Sequence, residues 1–382
     1  MRFAGELSDG FGAIAEFKRR SPSAGDLRPG GDVAAVARAY EVAGARAMSV
    51  LVDDRFGGSL DDLRAARAAT SLPLLAKGFF STPAHLAALR EAGADAALLI
   101  LRDLDDVTTA ELMRTAATLG LDTLVEAHDA GELERAEALA APVIGINARD
   151  LGTFRIDRSE QLRLLAKAPR DRVLVAESAI ESRAQAAQAE LAGAAAVLVG
   201  STLMRAPDPG ARLRELVSRP LVKVCGLTRQ DDVDVAVEAG ADLVGFILAE
   251  ESPRRTDVLL DAPETVLRVA VFVGETWETD ADLVQHYEHE NGHRGRDAAL
   301  IHAGKRVGTV VDLPWLDQDS GHLGRARATP GRVMLAGGLG PENVRAAIDA
   351  VRPWAVDSAR STESSPGIKD HEAVRAWVEA AR

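Results

Sequence analysis

The chain has almost no cysteine: one residue, Cys225, in 382. A lone thiol closes no intramolecular disulfide, and such sparing use fits a reducing compartment. Long apolar runs are missing too, since no stretch approaches the roughly 18 consecutive apolar residues of a membrane-spanning helix. The opening "MRFAGELSDGFGAIAEFKRR" lacks the apolar core and cleavage site of a secretory leader. Basic residues are outnumbered, 45 Lys and Arg against 58 Asp and Glu, leaving a net charge of −13. That balance argues against nucleic acid or a membrane surface as partner. It leaves small anionic substrates open, because a phosphate needs only local amides and one or two cations. A soluble, cytoplasmic protein is expected.

What the sequence does have is a rhythm. Short apolar, β-branched runs recur along the first half: "GAIAEF", "ARAMSVLV", "LPLLA", "DAALLIL", "DTLVEA", "PVIGIN", "RVLVAE" and "AAVLVG". Segments with helical spacing, such as "DVAAVARAYEVAG" and "TPAHLAALREAG", lie between them. Apolar, two-sided strands alternating with helices predict a parallel sheet, and eight such units predict a (β/α)8 barrel. The pattern restarts with "LVKVC", "DLVGFIL", "RVAVFV", "AALIH", "VGTVVDLPWLD", "RVMLAGG" and "WAVDSA". "EVAGARAMSVL" and "EAGADLVGFIL" match as helix end, glycine turn and second strand of each half. Arg219-Pro220 interrupts the helical "DPGARLRELV", so the expected domains are residues 1–219 and 220–382. The fold class is therefore two consecutive (β/α)8 barrels. The second falls short of the roughly 200 residues at the small end of this fold. It is expected to be abbreviated, most of all between Glu275 and Arg332.

Chemistry in such barrels collects where strands end. In the first half these positions hold Glu16 and Lys18, Lys77, Glu126, Asn147 with Arg149, Glu177 with Ser178, and Gly200 with Ser201. One charged strand end usually means a solvated loop. Two lysines and three carboxylates on one rim instead suggest acid–base chemistry on an anion, each group shifting the pKa of the others. "VGSTLM" and "ESAIES" place free amides at loops seven and eight, where barrel enzymes commonly hold phosphate. "HYEHENGH" has a metal-like composition but no partner cluster, and reads as a solvated helix face.

The motifs "IAEFKRRSPSAG", "FGGSLDDLRAAR", "LLAKGFF", "LVEAHD", "IGINARDLGTF", "VAESAI" and "AVLVGSTLM" resemble, in order, the strand ends of indole-3-glycerol-phosphate synthases. In the second half "VKVCGLTR", "EAGADLVGFI", "SPRR", "LAGGLGPENV" and "SSPGIKD" are similar to phosphoribosylanthranilate isomerases. Together they resemble the fused lyase–isomerase of tryptophan biosynthesis, which needs no cofactor or metal. Its substrates are small, phosphorylated and derived from anthranilate. A monomer is expected, with other tryptophan-pathway enzymes as candidate partners.

For the synthase the resemblance implies Lys77 as general acid and Glu126 as general base. Lys18, oriented by Glu16, would bind the substrate carboxylate. Asn147, Glu177 and Ser178 would position the substrate, while Arg149 and the Gly200 and Ser201 amides would bind phosphate. Departure of carboxylate and hydroxyl calls for cations and a proton donor, and rearomatisation calls for a base. The family has Asp where Gly78 follows Lys77, and Gly where Ala179 stands, so the backbone at Ala179 is expected to avoid positive φ. The family also carries a longer segment ahead of strand one, with a helix over the site; weaker exclusion of water is expected here.

For the isomerase the resemblance implies Cys225 as general base, with a thiolate made accessible by nearby amides or cations. The general acid would be an aspartate ending strand six, Asp312 or Asp317, the loop after Asp317 favouring the latter. Arg254 would hold the substrate carboxylate. Gly337, Gly338, Ser358 and Ala359 would hold phosphate, beside a helix with Pro341 in its first turn. The family's "VQLHG" of strand four reads "ALIHAG" here, and "SSGVE" reads "SARSTESS". Two rival readings remain: only the synthase half is active, or the chain is a non-catalytic phosphoribosyl-ligand sensor. The retained acids and bases speak against the sensor.

Overall fold

A computed structural model describes residues 2–21, 25–150, 152–288, 297–312 and 320–382. The chain divides into two compact units, residues 1–181 with 186–218, and residues 182–185 with 219–382.

The first unit is a closed barrel of β1 (Gly12–Phe17), β2 (Ala47–Leu51), β3 (Leu74–Lys77), β4 (Ala96–Ile100), β5 (Asp122–Ala127), β6 (Val143–Asn147), β7 (Val173–Glu177) and β8 (Ala196–Val199). Every neighbouring pair is parallel, and pairing of Gly12 with Ala196 closes the ring. The eight apolar runs of the sequence are these eight strands. Ile14, Leu75, Leu98, Leu124, Val143, Val175 and Leu198 fill the interior together with Phe3 and Leu7 of helix α1 (Arg2–Leu7). Asp122, the first residue of β5, accepts from the Phe3 and Ala4 amides at 3.0 and 3.2 Å. Helix α1 thus plugs the barrel end opposite the strand C-termini. The helices that follow most strands start at side-chain caps, among them Asp32, Ser59, Thr82, Asp105, Asp129 and Asp157. Each cap satisfies a first-turn amide that the helix itself cannot.

The second unit closes β9 (Leu221–Cys225), β10 (Leu243–Ile247), β11 (Leu267–Val273), β12 (Leu283–Tyr287), β13 (Asp297–His302), β14 (Lys305–Asp312), β15 (Arg332–Ala336) and β16 (Ala355–Ser358). Here the sequence expectation needs correcting. The fourth strand is "LVQHY", which the reading of the sequence passes over, and "ALIH" belongs to the fifth. That fifth strand, β13, runs antiparallel to both neighbours. The cause is local: Ala303 and Gly304, at φ 46° and 73°, form a two-residue hairpin turn into β14, leaving no room for a crossover helix. The connections 248–266 and 274–282 also hold no helix, whereas one does form at Ser320–Ala328. The abbreviation therefore starts earlier than expected. His286 and Tyr287 of "HYEHENGH" lie in a strand rather than a helix face, and residues 289–296 lie outside the described residues. Pro341 sits in a turn ahead of the helix Val344–Val351, not in its first turn.

Candidate active sites

At the C-terminal rim of the first barrel, Lys77 ends β3 inside a cage of carboxylates. Its Nζ lies 2.5 Å from Glu177 Oε2, 3.7 Å from Glu126 Oε2 and 3.8 Å from Glu16 Oε2. Lys18 Nζ meets the other oxygen of Glu16 at 2.7 Å. Two glycines make room for this cluster. A Cβ on Gly145 would lie 2.1 Å from Glu177 Oε1, and one on Gly200 would lie 2.3 Å from Glu16 Oε1. Burial opposes charge on Lys77, but the three carboxylates outweigh it and hold the ammonium protonated far above its ordinary range. Burial also pushes Glu16 up, yet Lys18 and Lys77 bring it below the usual carboxylate value. Glu126 and Glu177 share the remaining charge unequally. Burial and its anionic neighbour drive Glu177 up, whereas His128 and Lys77 hold Glu126 down against its burial. His128 Nε2 is 3.2 Å from Glu126 Oε1, and its Nδ1 is 2.9 Å from Glu132 Oε2. The two carboxylates overcome burial and raise His128 to about 10.

The cavity above this cage has two characters. One part, about 670 Å³ with its open mouth, is walled by Leu51, Phe56, Phe79, Leu98, Ile100 and Phe154. The other is polar, bounded by Arg149, Ser178, Ala179, Gly200, Ser201 and Arg205. Glu16, Lys18 and Lys77 border both. Burial and the nearby Arg205 guanidinium lower the Arg149 pKa, as two cations facing one space must. Asn147 Oδ1 accepts from the Arg149 amide at 3.0 Å, and Thr202 Oγ1 donates to Ile180 O at 2.7 Å, joining the seventh and eighth loops. The expectation for Ala179 is corrected here. Ser178 and Ala179 both take left-handed backbone, φ 70° and 54°. Strain of this kind persists where surrounding structure over-determines it, often at working sites.

In the second barrel Cys225 ends β9 and is buried. Burial pushes its thiol up; Lys223 and Lys369 oppose this, Asp357 adds to it, and the net shift is upward. Lys369 Nζ donates to Cys225 O at 2.7 Å and to Ala359 O at 2.9 Å, tying the loop after β16 to β9. Arg254 meets Glu363 in a two-pronged pair, Nε to Oε1 and Nη2 to Oε2 both at 2.8 Å. Asp312 ends β14, and its Oδ2 accepts from Tyr287 OH at 3.4 Å. Asp317 lies outside the described residues. Gly337 and Gly338 follow β15 with φ 83° and 65°. Ser358 Oγ donates to Leu339 O at 2.9 Å, holding that loop to β16. His302 Nδ1 pairs with Asp282 O at 2.9 Å. Among the described residues no group of His, Cys, Asp and Glu is arranged to hold a metal ion, and no helix is long and apolar enough to cross a membrane.

The family model described as indole-3-glycerol phosphate synthase matches residues 3–216. The chain belongs to that family. In the same comparisons, the model for N-(5'-phosphoribosyl)anthranilate isomerase matches residues 307–380. The indole-3-glycerol phosphate synthase of Leifsonia xyli is 50% identical over 53% of this chain and 78% of that protein. The multifunctional tryptophan biosynthesis protein of Schizosaccharomyces pombe is 32% identical over 97% of this chain, which spans 59% of that protein's length. Among solved structures, the phosphoribosyl anthranilate isomerase of Thermotoga maritima is 25% identical, with a TM-score of 0.31, covering 42% of this chain and 98% of that one. A synthase-family barrel is followed, in this chain, by a stretch of the second barrel that matches the isomerase model.

Three polar residues at or beneath the two rims escape the sequence reading. His128 sits inside the quoted "LVEAHD", two residues after Glu126, a spacing that puts both on one face of the strand end. Arg205 is the last residue of the short helix Ser201–Arg205 and carries no local signal. Lys223 shares the period-two face of Cys225, so alternation along "LVKVC" would have found it.

Proposed function

We propose that the chain catalyses two consecutive steps of tryptophan biosynthesis. Residues 220–382 would isomerise N-(5-phosphoribosyl)anthranilate to carboxyphenylamino-deoxyribulose phosphate. Residues 1–219 would close that product to indole-3-glycerol phosphate with loss of CO₂ and water. The observation that carries the reading is the Lys77 cage beneath a cavity that is apolar on one side and cationic on the other.

The apolar side suits the aromatic ring, and Arg149, Arg205 and the Gly200 and Ser201 amides suit the phosphate. Lys18, braced by Glu16, takes the substrate carboxylate, with Asn147, Glu177 and Ser178 positioning the rest. Lys77 is kept protonated and can give its proton to the departing hydroxyl. Glu126 is kept ionised and can take the ring proton as aromaticity returns. In the second barrel Cys225 removes the proton from the sugar carbon beside the imine. Asp317, which follows the sixth strand in the sequence, delivers one to the ring oxygen; Asp312, ending that strand, is the alternative. Arg254, oriented by Glu363, faces the carboxylate, and Gly337, Gly338, Ser358 and Ala359 the phosphate. The same proposal takes the protein as cytoplasmic and monomeric, with other tryptophan-pathway enzymes as partners.

Separate assays of the two steps test this. Lys77→Ala should lower indole-glycerol phosphate formation at least about 10²-fold, the low end for a lost general acid, with isomerisation intact. Cys225→Ala should do the reverse. Loss of both activities, or of neither, in these variants overturns the division of labour.

A further inference from the structure

Lys223 has no part in the chemistry above, yet it is fully buried in the middle of β9. An ammonium taken out of water costs several kcal/mol unless it is paired and hydrogen-bonded. Its Nζ donates to Gln285 Oε1 at 2.6 Å and to Asp357 Oδ2 at 3.1 Å, from strands β12 and β16. It also stands two residues before Cys225 on the same inward face. A Cβ built on Gly245 of the adjoining β10 would lie 2.7 Å from Cys225 Sγ and 2.8 Å from Lys223 Cε. The two side chains therefore flank one point, and the missing side chain of Gly245 is what lets them meet. The Lys223 charge is thus close enough to act on the thiol.

The other groups around Cys225 are few. Asp357 faces it from β16, Lys369 reaches its carbonyl from the loop after β16, and Tyr287 of β12 lies within its field. Gln285 donates through Nε2 to Tyr287 OH at 2.9 Å, which continues the chain of contacts to Asp312. Arg254 and Glu363 neutralise each other next to Lys369.

We propose that Lys223 is a positioning residue for the isomerase reaction: fixed by Gln285 and Asp357, its ammonium steadies the Cys225 thiolate that accepts the substrate proton. In that step the carbon–hydrogen bond breaks, a sulfur–hydrogen bond forms, and the carbon's electron pair moves toward the imine. Asp357 plays the opposing part, anchoring the cation while disfavouring the thiolate. This inference rests on the isomerase reading of the second barrel, and its first readout needs no substrate. Because Cys225 is the sole cysteine, alkylation of the full chain by iodoacetamide reports on it alone.

Lys223→Met should shift the pH midpoint of alkylation upward by about 1–2 units, and Asp357→Asn should shift it downward. The acidic limb of isomerase kcat should move the same way in each variant, with KM little changed and the synthase rate intact. A purely structural lysine would not move the two midpoints in opposite directions. Unshifted midpoints in folded variants overturn the proposal. Should Lys223→Met not fold, Asp357→Asn decides alone: a downward shift supports it, and no shift or an upward one sinks it. Opposite shifts in a chain whose unaltered form does not isomerise would uphold the coupling and discard the isomerase reading instead.

Discussion

Each barrel sets a lysine among acids or amides, but at different depths. Lys77 is the last residue of its strand and borders the cavity. Lys223 lies two residues short of its strand end, one layer further in, with Cys225 above it. The contrast shows how one scaffold gives the same side chain two uses. At the rim a lysine can hand a proton to a substrate; a layer below, it can act only through the group it touches. The surroundings follow suit. Both cations are held protonated, the first by three carboxylates, the second by one carboxylate with a neutral amide beside it.

Paired glycine substitutions probe that contrast most severely. Gly145→Ala drives a methyl into Glu177 and Leu124, and Gly245→Ala drives one into Cys225 and Lys223. Each should cost about 1–3 kcal/mol of stability by overpacking. Gly145→Ala should depress only synthase turnover, by about 10²-fold, and Gly245→Ala only isomerase turnover by a similar factor. Parallel assays on both variants would expose any cross-effect. An effect at least as large is expected at the proposed general acid of the second barrel. Asp317→Asn should cut isomerisation by about 10²- to 10⁴-fold while Asp312→Asn stays active, and the reverse result moves the role to Asp312. A smaller effect concerns His128, whose folded pKa near 10 stands above its ordinary 6.5. Its stabilisation is therefore complete below about pH 6.5 and fades as pH rises through 10. Thermal unfolding of His128→Gln against the parent should show a gap that closes over that window, and a constant gap would contradict the ionic pairing. Smallest is Ala179→Gly, which relieves left-handed strain and should stabilise the synthase barrel by about 1 kcal/mol, read by denaturant unfolding.

The first barrel is legible in the sequence because its strands are buried on both faces and therefore apolar throughout, with polarity switched on only at the ends. Glu16, Lys77, Glu126 and Glu177 stand out against that background and meet in the structure. The second barrel breaks the code. β12 carries Gln285 and His286 within five residues, so it looks like a loop. The hairpin of β13 and β14 has no counterpart in a strand–helix alternation. Ala179 misleads for another reason: glycine is favoured at positive φ but not required, and a rigid loop can hold alanine there at modest cost.

The hairpin has a consequence for how the chain reaches its native state. Ala299 pairs with Thr309 across a tight turn, whereas Leu221 must find Ala355 to close the same ring. Chain entropy grows with the logarithm of the span, so the long closure costs about 2 kcal/mol more than the short one. Hairpins form within about 1–10 μs. By replacing a distant parallel pairing with a neighbouring antiparallel one, the second barrel lowers its contact order and gains an early nucleus. The first barrel pairs only parallel strands, and its ring stays open until the last strand arrives.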